Sequence, residues 1–326
     1  MPEAMGGYFE LELQSGHRPF ADAHGFNLAR SAFQALLQAR RVRRVFVPYF
    51  ICSVMPDAAR TIDVEVVGYE LDEALELPDL PRLAPEEMLL YVDYFGLKAD
   101  YIRSTLSGHY PNALIVDNSQ ALFSPALPGV PTIYSPRKFV GVPDGGWLVN
   151  APANLEQPEP GTSVGHFEAL LGRLGNAPEA HYADFVRTEE ILSEQGLRGM
   201  SWATTRLLDS IDYRSVRRRR EANFSQLHAA LSAINAFKPA HAPGTAALCY
   251  PLMSEDAASA SALRAALLEQ RIFVPSYWRE VLNDPRAPAL ERDLSARLLP
   301  LPIDQRYGPQ QIDRLASIIH TQSRTA

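Results

Sequence analysis

The stretch MLLYVDYFGLKADYIRSTLSGHYPNALIVDNSQALF, residues 88–123, reads as strand, helix, strand. Its two outer pieces, MLLYVDYF (88–95) and ALIVDN (113–118), are apolar throughout rather than alternating. Strands covered on both faces read this way, which predicts a parallel sheet. KADYIRSTLSG (98–108) supplies the crossover helix. The same alternation extends upstream through VFVPY (45–49) and VEVVGYE (64–70), with helices over 27–41 and 53–62. Downstream, TIYS (132–135) and GWLVN (146–150) add two short strands. Strands and helices in repetition predict an α/β layer fold.

After Asn150 the pattern changes. APANLEQPEPGTS (151–163) is a Pro-rich loop, and helical periodicity then runs to about residue 234. RRRREANFSQLHAALSAI (217–234) reads as one long helix and AHAPGTA (240–246) as a break. The remainder predicts a compact α+β unit, with a strand over 247–253, a helix over 258–269, a strand over 271–277 and a terminal helix over 310–322. The expected division is a large α/β domain, 1–212, and a small α+β domain, 213–326.

The bulk numbers narrow the function classes. The 326 residues are 46% hydrophobic and 21% charged, an ordinary globular balance, and the net charge of −7 gives no sign of a nucleic-acid face. The arginine run 217–220 spreads around a helix and reads as solvated surface with interdomain pairs. Cys52 and Cys249 stand far apart and outside any CxxC, and no two histidines stand four residues apart, so neither a disulfide framework nor a metal site is expected. The N-terminus lacks a signal-peptide pattern and no run is long and apolar enough for a membrane helix. The expectation is a soluble cytoplasmic protein that binds neither nucleic acid nor membrane.

Two residues stand out chemically. ALIVDNSQALF carries four apolar residues straight into Asp117, then Asn118, Ser119 and Gln120. In an open parallel sheet, ligands sit at the carboxyl ends of strands, and an acid there needs something positive to meet it. A helix cap or an ion pair with a nearby arginine is the plainer role for Asp117. The second residue is Lys138, in YSPRKFVGVPDGG (134–146). Only three lysines occur among 31 basic residues, so a lysine in apolar company is unusual for this chain. Lysine, unlike arginine, can lose its proton and attack a carbonyl. Its plainer role is an exposed cation paired with Asp144. If the two strands are neighbours, however, an acid and a lysine face one crevice. That pair suits pyridoxal phosphate, with the lysine for the Schiff base and the carboxylate for the pyridinium nitrogen.

The order of these pieces resembles the DegT/StrS-type sugar aminotransferases, pyridoxal-phosphate enzymes of fold type I. The resemblance spans nearly the whole chain. IVDNSQALF (115–123) resembles the family's strand ending in Asp-x-(Ala/Ser)-(Gln/His), and in YSPRKFVGVPDGG the lysine precedes Asp-Gly-Gly at the family's six-residue spacing. VPYFICSVMPDAA (47–59), VDYFGLKADYIRS (92–104), RRRREANFSQL (217–227) and residues 276–319 resemble further family segments in the same order. The resemblance implies Lys138 as the catalytic lysine, Asp117 as partner of the pyridine nitrogen, Gln120 beside the cofactor, and Tyr277 and Trp278 along the substrate site. It implies a mostly parallel central sheet with flanking helices and a small C-terminal domain, an amino-acid donor such as glutamate, a keto-sugar nucleotide acceptor, a product destined for surface polysaccharide, and a homodimer.

Some positions depart from the family pattern. Its helix-opening Ser-Gly-Thr is Leu28-Ala29-Arg30 here, followed by Ser31, so Arg30, Ser31 and the helix N-terminus are the expected phosphate ligands. Ile133 replaces a hydroxyl residue, and Ser135 is the expected substitute. Cys52 falls where the family stacks an aromatic ring, with Phe50 and Tyr94 as alternatives. A dry pocket is expected around Lys138, because transamination needs the neutral amine and burial disfavours the ammonium. Two other readings stay open: a non-catalytic binding or regulatory protein that kept the fold, and a sugar dehydratase, a subgroup that typically lacks the lysine.

Overall fold

The structure is a computed structural model that describes residues 5–239, 244 and 246–323. Residues 1–4 of the N-terminal reading, and His241 with most of the break at 240–246, lie outside the described residues.

Nine strands are present among the described residues: β1 (His24–Phe26), β2 (Arg44–Pro48), β3 (Glu65–Tyr69), β4 (Glu87–Val92), β5 (Leu114–Asn118), β6 (Thr132–Tyr134), β7 (Gly146–Val149), β8 (Tyr250–Met253) and β9 (Leu298–Leu301). The first seven form one sheet in the order β1-β7-β6-β5-β4-β2-β3. Pairings among β2 to β6 are parallel, while β7 runs antiparallel to both β6 and β1. The sheet is mixed α/β and mostly parallel. Every residue of β5, and all but the first of β4, is buried, which explains their unbroken apolar pattern.

Helices α1 (Ala29–Ala39) and α2 (Val54–Arg60) follow β1 and β2. The crossover from β4 to β5 is one continuous helix assembled from α3 (Ala99–Tyr101), a π-turn at Ile102–Leu106 and α4 (Ser107–His109). After β7 come α5 (Glu168–Gly175), α6 (Tyr182–Glu194) and α7 (Trp202–Asp209), the last capped by Ser201. The long helix α8 (Tyr213–Leu231) starts four residues earlier than its sequence pattern because the Asp212 side chain accepts the Ser215 N–H at 2.9 Å and caps it there.

Helices α9 (Ala257–Glu269), α10 (Glu280–Asn283), α11 (Ala289–Arg297) and α12 (Pro309–Ser323) complete the chain. Helices α8, α9 and α12 pack on the antiparallel β8–β9 pair around a separate core that includes Phe224, Tyr250, Leu299 and Ile319. Here the strand expected over 271–277 is corrected. That segment is irregular, and β8 pairs instead with β9. Two causes are visible: Pro275 withholds a ladder donor, and Ile272 donates its N–H to Leu267 O at the end of α9. The strand expected over 247–253 is confined to Tyr250–Met253.

Among the described residues no helix is long and apolar enough to cross a membrane. Neither do they contain a group of three or more His, Cys, Asp or Glu side chains placed to hold a metal ion.

Candidate active site

The site is built where the parallel strands end. Asp117 stands in β5 with Val92 of β4 on one side and Ile133 of β6 on the other. Two residues beyond Ile133 the chain leaves the sheet at Ser135 and turns through a short 3-10 segment, Pro136–Lys138. Strand register thus delivers Asp117 and Lys138 to one crevice. Both line a hollow of about 240 Å³, together with Arg30, Cys52, Gln120, Ser135 and Trp278. Ser31, Tyr94 and Tyr277, expected at the site from the sequence, do not reach its wall.

Asp117 is buried, 4% exposed. One carboxylate oxygen accepts the Ser119 N–H at 2.8 Å, and the other has no protein partner among the described residues. Lys138 is exposed in the single chain, and its amine makes no hydrogen bond or ion pair with a described residue. The dry surroundings expected for it are therefore not present in one chain, because the hollow opens to solvent on the lysine's side. Asp144 is not its partner. That carboxylate accepts from the Ser201 N–H and from the hydroxyls of Ser201 and Thr204, and so clamps the glycine pair to the start of α7.

Gln120 is turned by the backbone, its Oε1 accepting the Phe95 N–H at 2.8 Å. Ser135 is buried on the wall with no side-chain partner among the described residues. The start of α1 forms another wall. Leu28 at its N-cap has extended backbone and offers no side-chain cap, leaving the first N–H groups free for an anion. Gly146 makes this approach possible: a Cβ there would lie 2.5 Å from Leu28 C and 2.6 Å from Ala29 N. Arg30 lies in the same wall, its guanidinium pushed below its ordinary value by burial and by Arg137, with Glu189 opposing. Ser31 is buried in the first turn, behind the wall.

Trp278 is the only aromatic side chain on the wall among the described residues. It is braced by Phe50, edge-on at 4.4 Å between ring centroids, and by Tyr94 at 6.0 Å. Tyr94 stands behind, fully buried, its hydroxyl donating to Phe50 O. Tyr277 packs instead on the Phe95 ring. Burial raises the Cys52 thiol above its ordinary value, so it faces the hollow as a protonated group.

The sequence reading missed an ion pair in the wall, Arg137 with Glu189 of α6. Fifty-two positions separate its members, and nothing local in α6 marks Glu189 as inward-facing. The run 217–220 also needs correction. Arg220 is not solvated but 2% exposed. It donates to the carbonyls of Ala247, Leu248 and Phe139, and its guanidinium lies over the Phe139 ring at 4.6 Å.

This arrangement presents an unpaired amine, a half-paired buried carboxylate and an uncapped helix N-terminus around one hollow. Pyridoxal phosphate asks for these three features. The residues fit that cofactor, with Asp117's free oxygen as the orphaned acceptor for a ring N–H.

The chain shares its fold with sugar aminotransferases of known structure. A DegT DnrJ EryC1 StrS aminotransferase from Brucella abortus is 17% identical, with 92% of this chain and 85% of that one covered at a TM-score of 0.63. DesV from S. venezuelae, solved in complex with a ketimine intermediate, is 17% identical over 92% and 84% of the two chains at a TM-score of 0.63. DesI, solved in the presence of its TDP-sugar product, is 18% identical over 93% and 81% at a TM-score of 0.64. No family model matches the chain, and the search of curated proteins finds no match. At these identities the likeness establishes the fold, a mostly parallel fold type I sheet with flanking helices.

Proposed function

We propose that this chain is a pyridoxal-phosphate-dependent aminotransferase that moves an amino group from an amino acid, glutamate in the first instance, to a keto-deoxysugar nucleotide for glycan synthesis. One observation carries the reading: Asp117 and Lys138 line a single hollow at the carboxyl end of adjacent strands, each with a polar atom that no described residue satisfies. The shared fold supports it, as does the sugar-nucleotide product seen with DesI.

In this reading Lys138 Nζ would hold the cofactor at its aldehyde carbon, and the Asp117 carboxylate would accept the pyridine N–H. The N–H groups opening α1, with Arg30 and Ser135, receive the phosphate. When bound, pyridoxal phosphate supplies an electron sink for a carbanion next to nitrogen. The chain's own work is proton transfer and placement. With an amino donor bound, Lys138 Nζ would carry the proton taken from the donor's α-carbon. The Asp117 carboxylate would stand opposite the ring nitrogen as its hydrogen-bond acceptor. Trp278 walls the substrate side, and Gln120, fixed by Phe95 N–H, stands beside the ring.

We also propose a homodimer, with residues 213–326 as a smaller domain. A second copy would cover the open side of the hollow and bury apolar side chains such as Leu171, 60% exposed, and Leu174, 84% exposed. Sedimentation at twice the chain mass is the expected result. Two unpaired cysteines fit a reducing cytoplasm.

The deciding experiment is the visible spectrum. Protein given pyridoxal phosphate should show a band at ~410–430 nm that Lys138→Ala loses, and glutamate should move it to ~330 nm. A protein that stays colourless with added cofactor would overturn the enzyme reading and favour a binding protein that kept the fold. That alternative draws on Cys52, where the resembling family places a stacked ring. A band that appears but does not respond to any amino acid would exclude transamination.

A further inference from the structure

Residues 5–15 form an arm that the fold leaves bare. The chain is tied down from Gly16 onward. A Cβ on Gly16 would lie 2.5 Å from Asp209 O, Arg18 pairs with Asp209, and the Phe20 ring packs on Tyr134 at 4.2 Å between centroids. Before Gly16 the main chain makes no hydrogen bond with a described residue. Tyr8, Phe9 and Leu11 are 99%, 95% and 75% exposed. Large apolar side chains in water gain free energy when something covers them. Their pattern is that of a strand rather than of a solvated tail. Phe9-Glu10-Leu11-Glu12-Leu13 alternates strictly, so an extended arm carries apolar side chains on one face and acids on the other. Glu10 and Glu12 are the only charged side chains between residues 5 and 16.

A cleft of complementary chemistry, about 1060 Å³, lies away from Lys138. The segment from Arg173 to Tyr182 forms one side, and the end of α9, residues 270–275 and the first turns of α12 form the other. The chain carries −7 overall, yet this lining holds Arg173, Arg264, Arg271, Arg306 and Arg314 against a single acid, Glu179. Arg271 is neutralised by Glu179 and Arg306 by Asp304. Arg173 and Arg314 are exposed and meet only carbonyl and amide oxygens among the described residues: Asn176 O for the first, Gln270 O and Oε1 for the second.

The rest of the lining is apolar, with Leu268 and Phe273 exposed above Ile312 and Leu315. One wall is also an open main-chain edge. Phe273, Val274, Ser276 and Tyr277 donate their N–H groups to no described residue. An edge of that kind takes up an added extended segment, with side chains alternating between pockets and the opposite side. Leu171 and Leu174 flank Arg173 and are exposed, so the apolar surface continues out of the cleft over α5. No residue of the arm lines the cleft within one chain. Fully extended, residues 8–15 reach about 26 Å from Gly16, enough to cross to a neighbouring molecule.

We propose that residues 8–13 of one copy dock in this cleft on a second copy. The arm's main chain runs along residues 273–277, Phe9, Leu11 and Leu13 cover the apolar floor, and Glu10 and Glu12 meet Arg173 and Arg314. Exchange of arms about a two-fold axis satisfies both arms and both clefts at once. The proposal rests on the homodimer reading and names the segment that fastens it. It does not depend on the chemistry at Lys138.

The test is sedimentation equilibrium of the full chain and of two charge-reversed forms, one carrying Glu10→Arg with Glu12→Arg, the other Arg173→Glu with Arg314→Glu. All four positions are exposed, so both forms should keep the parent's urea midpoint, which checks that they fold. Each form alone sets like charges against each other and should raise the dimer dissociation constant about 10-fold or more. Mixed in equal amounts, each form's arm again matches the other's cleft, and the parent constant should return. A dimer indifferent to either reversal overturns the proposal, as does a mixture that fails to recover. An arm lying in its own cleft would give that second result. A parent chain that stays monomeric at every concentration overturns the homodimer reading and this proposal with it, whereas a dimer unmoved by the reversals overturns this proposal alone.

Discussion

Two carboxylates end neighbouring strands, Asp93 just after β4 and Asp117 in β5, and their surroundings separate them. Asp93 is fully buried and does not line the hollow. Its oxygens accept the Lys98 N–H and the Ser124 hydroxyl, each at 2.7 Å. Burial pushes its carboxyl up from the ordinary 3.8 to about 6, with those hydrogen bonds and the Lys98 charge opposing and Asp117 adding to the rise. The folded chain thus binds more protons than the unfolded chain between pH 4 and 6. Stability contributed by this group falls as pH rises through that window and is greatest below it, by about 3 kcal/mol at full strength. Asp93→Asn should flatten that slope in urea titrations run from pH 4 to 7. A slope unchanged by the substitution would show that Asp93 is not its source. In sequence, VDYFG and VDNSQ look alike, each an acid ending an apolar strand. Asp117 stands out in the sequence because Lys138 follows one strand later, and the two line one hollow. That Asp93 is silenced by Lys98 and Ser124 depends on the turn after β4, where Phe95 adopts a positive φ of 60°. No propensity announces that conformation.

At the scale of elements, β7 passes directly against the backbone that opens α1. Gly146 pairs with Phe26 in β1, and Gly145 N–H donates to Asn27 O at 2.6 Å. No side chain fits between this strand and the helix, because a Cβ on Gly146 would strike the Leu28–Ala29 backbone. Gly146→Ala should therefore push the first turn of α1 outward. It should cost about 2 kcal/mol of stability and weaken pyridoxal phosphate more than it weakens a phosphate-free analogue, as measured by equilibrium dialysis. Equal weakening of both would mean that α1 does not hold the phosphate. The central strands were legible because burial on both faces leaves an unbroken apolar run. β1 was not: three residues, HGF, carry no periodicity, and the strand exists because β7 offers it an open edge. The segment 271–277 shows the opposite failure. Its short apolar run, 272–274, reads as a strand, but Ile272 donates its N–H to Leu267 O and Pro275 has none to give to a ladder.

Across the whole molecule, Arg220 ties the core around β8 and β9 to the cluster that holds Phe139, Tyr134 and Trp147. Its guanidinium reaches out of α8 to the carbonyls of Ala247, Leu248 and Phe139, and Gln305 adds a second donor to Phe139 O at 2.7 Å. Replacing it by methionine would keep much of the volume and strand several buried acceptors, so Arg220→Met should cost roughly 3 kcal/mol. Urea unfolding followed by tryptophan fluorescence checks this, and a loss below a few tenths would show the carbonyls to be satisfied otherwise. The charge pattern could not reveal this tie. Four adjacent arginines spread around a helix, and only the packing of α8 decides that the fourth points inward while Arg217 pairs with Glu221.

The carbonyl shared by Arg220 and Gln305 belongs to the residue directly after Lys138. The Lys138 amine therefore hangs from a turn whose far end is moored to α8 and to Gln305. A displacement of α8 would therefore be carried through Phe139 to the Lys138 side chain with no intervening hinge.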